Sequence, residues 1–297
     1  MSKAFIKKEG LARVSLARYL FGLKPGDRLK TIDVLSSELA LSVGVVQNAL
    51  KSLEAEQCVT LDRRGRNGTV LSQMDFPRLL EQADIGNILC AMPLPYTRLY
   101  EGLASAIKTQ FAGYPLYFAH MRGAEVRIDC LIDGVYDMAV VSHLAAESYL
   151  QQGEVTAVLN FGPGSYVAGH RLLYRASRQG DIRRVGLDPR SPDQCLLTER
   201  VFAGQTIERV ALPYNLTLAA LQRGEIDAAV WNHTDEATAD IIQQPIDHAD
   251  AVKASEAVLL IHNNAKVIQH LVQSLLDIPQ LLRHQQDVAL GIREPNY

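Results

Sequence analysis

The stretch Leu41–Leu71, LSVGVVQNALKSLEAEQCVTLDRRGRNGTVL, constrains the architecture more than any other part of the chain. Val46, Ala49, Leu50 and Leu53 recur at i, i+3, i+4 and i+7, one apolar stripe of a helix, while Gln47, Asn48, Lys51 and Ser52 fall elsewhere on it. Two short runs follow, Val59–Leu61 and Thr69–Leu71, joined by RRGRNG, where Gly65 and Gly68 permit a tight turn. A single amphipathic helix of this length has no stability of its own and needs packing partners. The preceding residues supply them. Phe5, Ile6, Leu11, Val14, Leu16, Ala17, Leu20 and Phe21 predict a helix over Lys3–Phe21, stopped by Gly22 and the turn Leu23–Asp27. Arg28-Leu29 reads as a brief strand. Thr31 is placed to cap a second helix through Ile32, Val34, Leu35 and Leu39, and Ser42 to cap the third.

Charge separates this head from the remainder. Residues 1–72 carry 12 Lys/Arg against 7 Asp/Glu, a net of +5, and residues 73–297 carry 18 against 26, a net of −8. A basic head on an acidic body fits a nucleic-acid module joined to a part that avoids phosphate. The polar stretch 73–84, SQMDFPRLLEQAD from Ser72 onward, reads as a linker with a short helix. The opening MSKAFIKKEGLARV lacks the apolar core of a signal peptide, and no run of about 18 apolar residues occurs, so a cytoplasmic location without membrane contact is expected. Cys58, Cys90, Cys130 and Cys195 are far apart and share no metal-ligand spacing, as expected of reduced thiols.

From residue 85 the pattern changes. Asn87–Met92, Pro115–His120 and Met138–Ser142 read as buried strands, alternating with helices over Thr97–Phe111 and Glu125–Asp133. The alternation returns in Val185–Asp188, Asp193–Phe202, Ile207–Leu212, Leu216–Arg223 and Ala228–Trp231, which predicts parallel βαβ units. LIDGVYDMAVVS and LQRGEIDAAVWN both read Leu-x-x-Gly-x-x-Asp-x-Ala-Val, a helix stopped by glycine and followed by a buried strand, and imply two similar lobes. Asp137 and Asp227 of that unit are expected to accept backbone N–H bonds, and Trp231 to pack in a core.

Two resemblances rest on these residues. Residues 1–72 resemble the winged helix-turn-helix head of GntR-type regulators in LKPGDRL, the capped second helix, S-x-x-x-V-x-x-A-L-x-x-L-E-A-E and the G-R-x-G-T wing. The chain departs from that pattern where the family carries an arginine and threonines, with Val43, Gly44 and Val45 instead, and Gln47 replaces a later arginine. The resemblance implies DNA contacts from Thr31, Ser42, Gln47, Arg64 and Arg66. Residues 85–297 resemble the two-lobe type II periplasmic-binding-protein (Venus-flytrap) fold that also serves as the sensor of LysR-type regulators. The joined architecture resembles the YhfZ family and implies regulation of transcription.

The chemistry of the residues agrees with that implication. Arg63, Arg64 and Arg66 at a hairpin tip can reach phosphates or the minor groove, and Gln47 and Asn48 carry groups able to read adenine. In a two-lobe body ligands bind at strand C-termini and helix N-termini. That places Tyr96, Thr97, Ser142, Ser165, Asp188, Asn215, Asn232 and His233 among the candidates, for a carboxylate or phosphate ligand. Pro163–Tyr166 sits where the chain passes between lobes. No HExxH, GxSxG, Walker or GxGxxG signature is present, so no catalytic residues, metal or cofactor are expected. The expected protein is a DNA-binding regulator, a homodimer on double-stranded DNA, controlled by a small anionic metabolite. The alternatives are a binding protein whose head has lost sequence-specific recognition and, more remotely, an enzyme on the same fold.

Overall fold

A computed structural model describes residues 8–232 and 240–297, in two compact units, the first ending at Asn87 and the second running Ile88–Tyr297. Phe5, Ile6 and His233 lie outside the described residues.

In the first unit α1 (Lys8–Leu20), α2 (Ile32–Leu39) and α3 (Val43–Ala55) enclose a core of Leu16, Leu20, Phe21, Leu35 and the whole predicted stripe Val46, Ala49, Leu50 and Leu53. α2 and α3 meet at Ala40, whose positive φ of 53° closes a tight turn. The wing is β1 (Val59–Arg63) paired antiparallel with β2 (Thr69–Met74), each longer than expected at its C-terminal end. Arg28 bridges Val70, and Leu29 N–H donates to Thr69 O, so the expected brief strand braces the hairpin. Residues 73–84 fold as part of this unit. β2 continues to Met74, and Asp75 caps α4 (Phe76–Gln82). α4 docks back on α1: the Phe76 ring meets Phe21 edge-on at 4.9 Å, Leu79 is buried, and Arg18 donates to the carbonyls of Ala83 and Asp84. The apolar face of FPRLLEQ is the reason, because a short helix holds only where it can bury such a face.

The second unit begins β3 (Ile88–Met92), α5 (Arg98–Gln110), β4 (Leu116–His120), α6 (Ala124–Ile132), β5 (Met138–Ser142), α7 (His143–Gln152) and β6 (Val155–Asn160). It crosses to β7 (His170–Arg175), β8 (Arg184–Leu187), α8 (Pro192–Val201), β9 (Glu208–Ala211), α9 (Thr217–Arg223), β10 (Ala228–Asn232) and β11 (Ile241–Pro245). It returns through α10 (Ala249–Ser255) to β12 (Ala257–His262), α11 (Lys266–Leu275) and α12 (Ile278–Ala289). One lobe has the strand order β4-β3-β5-β12-β6 and the other β9-β8-β10-β7-β11. In each, the first three strands are parallel and the last two join antiparallel. This is the two-lobed topology of type II periplasmic-binding proteins, and the doubled Leu-x-x-Gly-x-x-Asp-x-Ala-Val motif is the matching helix-to-central-strand junction of each lobe. Asp137 accepts the Leu89 N–H of β3, and Asp227 the Arg184 N–H of β8, equivalent bonds in the two lobes.

The two passages between lobes are tied to each other. Ala257 N–H donates to Ser165 Oγ, Tyr166 N–H to Ser255 O, and Gly164 N–H to Ser255 Oγ. Cys58 and Cys90 are buried, Cys130 and Cys195 half-buried, and all four are free thiols. Among the described residues no helix is long and apolar enough to cross a membrane.

Candidate functional site

The head presents one outward face. On α3, Ser42, Val43, Gly44, Gln47, Asn48 and Lys51 are exposed. Thr31 Oγ accepts the Val34 N–H and is engaged in capping α2. Ser42 occupies the cap position of α3, but its hydroxyl makes no capping bond, which leaves it and the first helical N–H groups open to a phosphate. Asn48 borders a groove with Gly10, Arg13 and Ser52, toward α1. Arg63 is held by Glu54 at 2.5 Å and Arg64 by Asp62 at 2.8 Å; the Arg63 hydrogen bond lowers the Glu54 pKa. Arg66 has no such partner among the described residues. Sequence reasoning missed Arg28. Its guanidinium lies against Gly68 so closely that a Cβ there would come within 2.6 Å of Nε. Among the described residues of α3 and the wing, with the Arg28 that braces it, Arg28, Lys51 and Arg66 are exposed cations without an ion-pair partner.

In the second unit a cleft enclosing about 710 Å³, open solvent at its mouth included, lies between the lobes. Of the expected ligand residues, Tyr96, Asp188 and Asn232 line it. Thr97 caps α5 by accepting the Tyr100 N–H. Ser142 is buried, accepts the Ala145 N–H and donates to Asp193 Oδ1 at 2.7 Å. Ser165 is consumed by the inter-lobe passage, and Asn215 is exposed outside the cleft lining.

The groups that dominate the cleft were not singled out from the sequence. Arg127 is 3% exposed, and its Nε, Nη1 and Nη2 donate to Val140 O at 3.0 Å, Met121 O at 2.8 Å and Tyr166 Oη at 3.0 Å. Among the described residues no carboxylate lies within ion-pair distance of it. It belongs to the first turns of α6, whose leading N–H groups follow Gly123, a residue with φ of 88° that also lines the cleft. Across the cleft, Asp188 accepts from Arg122, from Arg190 N–H and from Tyr214 N–H, both at 3.0 Å. Burial pushes its pKa up, but these donors outweigh it and hold the carboxyl below its usual range. Asp193 has no such set of donors, and burial, offset only in part by Ser142 and Arg127, pushes it to about 7. Burial lowers His170 to about 4, and its buried Nδ1 has no partner among the described residues. Burial likewise raises the Tyr100, Tyr166 and Tyr214 phenols. Tyr214 stacks on Trp231 at 4.0 Å and bonds Asn232 through its hydroxyl.

Asp193 carries a pH prediction. Its folded pKa lies above the unfolded value, so the folded state holds the extra proton and stability falls as pH rises between about 4 and 7. About three units correspond to a ceiling of about 4 kcal/mol. Urea titrations across this range are expected to show that fall in the wild type relative to Asp193→Asn; parallel pH profiles would refute it.

Comparison with known proteins places this architecture. The model of the YhfZ C-terminal domain matches residues 75–297, and a helix-turn-helix domain model matches residues 24–71. An uncharacterized protein YhfZ of Escherichia coli strain K12 is 48% identical over 301 residues, covering 100% of both chains. The crystal structure of YhfZ from Shigella flexneri is 46% identical and superposes with a TM-score of 0.67, covering 75% of this chain and 98% of that one. The chain belongs to the YhfZ family.

Proposed function

We propose that this YhfZ-family protein is a cytoplasmic transcriptional regulator whose affinity for DNA is set by a small anionic metabolite in the cleft of the second unit. The single observation that carries the ligand half is Arg127, a buried guanidinium without a carboxylate partner among the described residues, at the N-terminal turns of a helix that opens on the cleft. A buried cation in this state costs several kcal/mol, and an anion offsets that cost. The helix-turn-helix head supports the DNA half. Two heads in a homodimer would meet paired half-sites, and ligand closure of the cleft would change their spacing. A helix-turn-helix head joined to a two-lobe ligand-binding body favours a sensor over an enzyme.

The direct test is fluorescence anisotropy of the full-length protein on its own upstream DNA and on unrelated DNA at several salt concentrations. Preference for the upstream fragment at physiological salt is expected. Equal, weak binding to both would favour the alternative, a binding protein with a degenerate head, which the exposed Val43-Gly44 start of α3 makes a specific competitor. The face described above sharpens the expectation for single residues. Arg28→Ala and Arg66→Ala should each reduce the slope of log K against log salt by about one unit per head, since each removes one free cation from phosphate. Arg64→Ala should do less, because Asp62 already neutralises that charge. An unchanged slope in the Arg28/Arg66 double variant would remove the wing from the DNA interface.

A further inference from the structure

We propose that the ligand of the cleft is a small hydroxycarboxylate, its carboxylate held by Arg127 and the first turn of α6 and its neighbouring hydroxyl by His170 and Asp193. This rests on reading the cleft as an anion site and adds the ligand's second functional group.

The charge argument limits the ligand to one negative charge. Arg127 spends three N–H groups on neutral acceptors, Val140 O, Met121 O and Tyr166 Oη, and keeps two for a ligand. A carboxylate matches that guanidinium with charge-assisted bonds. Arg122, the other inward guanidinium, is already neutralised by Asp188, and Arg190 is exposed at the rim where water screens it. A phosphate dianion would bring two charges to one uncompensated cation, with the Asp193 carboxyl lining the same cleft.

The second group is better met as a hydroxyl than as an ammonium. An ammonium needs an ionised carboxylate with lone pairs to spare. Asp188 is already neutralised by Arg122 and keeps only one acceptor site open: one oxygen accepts Arg190 N–H, the other both Arg122 and Tyr214 N–H. Asp193 gives one oxygen to Ser142, and burial keeps it close to half-protonated at neutral pH. His170 is neutral there, with a buried ring nitrogen that lacks a partner among the described residues. A neutral imidazole nitrogen and a carboxyl near its midpoint can each accept or donate one hydrogen bond, the pairing a hydroxyl offers. Neither supplies the fixed negative charge that a buried ammonium requires. The phenols of Tyr100, Tyr166 and Tyr214 crowd the walls, so the ligand is short.

The test is isothermal titration of the full chain with matched pairs that exchange only the α-hydroxyl for an α-ammonium: lactate against alanine, and glycerate against serine. Gluconate, glycerol 3-phosphate and inorganic phosphate complete the panel. At least one hydroxycarboxylate is expected to bind ten-fold or more tightly than its amino twin and than the phosphates. Arg127→Lys should weaken it at least ten-fold, and His170→Phe should reduce lactate to the affinity of propionate, its deoxy form, titrated alongside; the second variant keeps the test informative should the first fail to fold. Equal or tighter binding of alanine or serine, or of a phosphate, would overturn the hydroxycarboxylate assignment and leave the anion-regulated reading standing. Binding of no anion in the panel would overturn both.

Discussion

Replacing Arg127 with methionine is expected to abolish anion binding in the cleft and to leave DNA binding by the head intact but unresponsive. Methionine spans a similar length without charge, so it removes the cation and not the wall. Charge-assisted bonds to a buried carboxylate lost in this way typically cost about 3–5 kcal/mol, a loss of at least 100-fold in affinity. The effect on stability should be much smaller. The variant forfeits bonds to Val140 O, Met121 O and Tyr166 Oη, but it also removes a buried charge with no ion-pair partner among the described residues. These terms have opposite signs. Arg127 also explains why the ligand would be felt elsewhere: it ties β5, the segment after β4 and Tyr166 of the inter-lobe passage to one guanidinium. Tyr166 in turn donates its N–H to Ser255 of the return passage. An anion on Arg127 therefore loads both connections between lobes. Calorimetry on the variant and anisotropy with and without anion separate the two halves of this expectation. Anion affinity within ten-fold of wild type would show that Arg127 is not the anchor.

The parts of the fold that are local in sequence were legible, and the parts assembled from distant segments were not. The stripe Val46, Ala49, Leu50, Leu53 is buried as read, because helical period and burial are the same geometric fact. The doubled glycine-to-strand unit marks equivalent junctions because each lobe needs one central strand entered from a helix. β6, β7, β11 and β12 went unread: they are the strands around the chain's passage from one lobe to the other and back, and their pairing is recorded by no window of sequence. Of the expected ligand residues Tyr96, Asp188 and Asn232 line the cleft, and others do not for a related reason. Ser142 and Ser165 were selected as hydroxyls at chain junctions, but their partners are Asp193 and Ala257, contributed from 51 and 92 residues away. Arg127 did leave a signal. It shares its helix face with Ala124, Ile128 and Leu131, all buried, so a charged residue stands on an apolar stripe. A guanidinium there must either be paired or await a partner. Arg28 left none, since only the pairing with Val70 carries it to the wing.

Asp227→Asn is expected to be the most destabilising single substitution in the body, and the repeated unit supplies its own control. Asp227 is 1% exposed and accepts Arg184 N–H at 2.9 Å, Arg183 N–H at 3.3 Å, and Arg175 and Arg184 Nη2 at 3.1 Å, with Arg178 Nε at 3.4 Å. Burial alone would raise its pKa, but these arginines and N–H groups prevail and hold it far below the usual carboxylate range. Asparagine keeps one acceptor and turns an NH₂ toward a set of donors, leaving guanidinium groups without their counterion. Breaking a buried pair in this way costs about 3–5 kcal/mol. Asp137, at the same place in the other lobe, accepts the Leu89 N–H without an arginine partner among the described residues, so Asp137→Asn should cost about 1 kcal/mol, the scale of a single hydrogen bond. The pH dependence has a fixed sign. Because the folded pKa of Asp227 is depressed, its contribution is complete above the unfolded value of about 4 and is lost as pH falls below it. Urea unfolding at pH 7 should separate the two variants by about 2–4 kcal/mol, the difference between these costs, and at pH 3 the gap should narrow. Equal losses at both pH values would mean that the arginine cluster adds nothing beyond the backbone bonds the two lobes share.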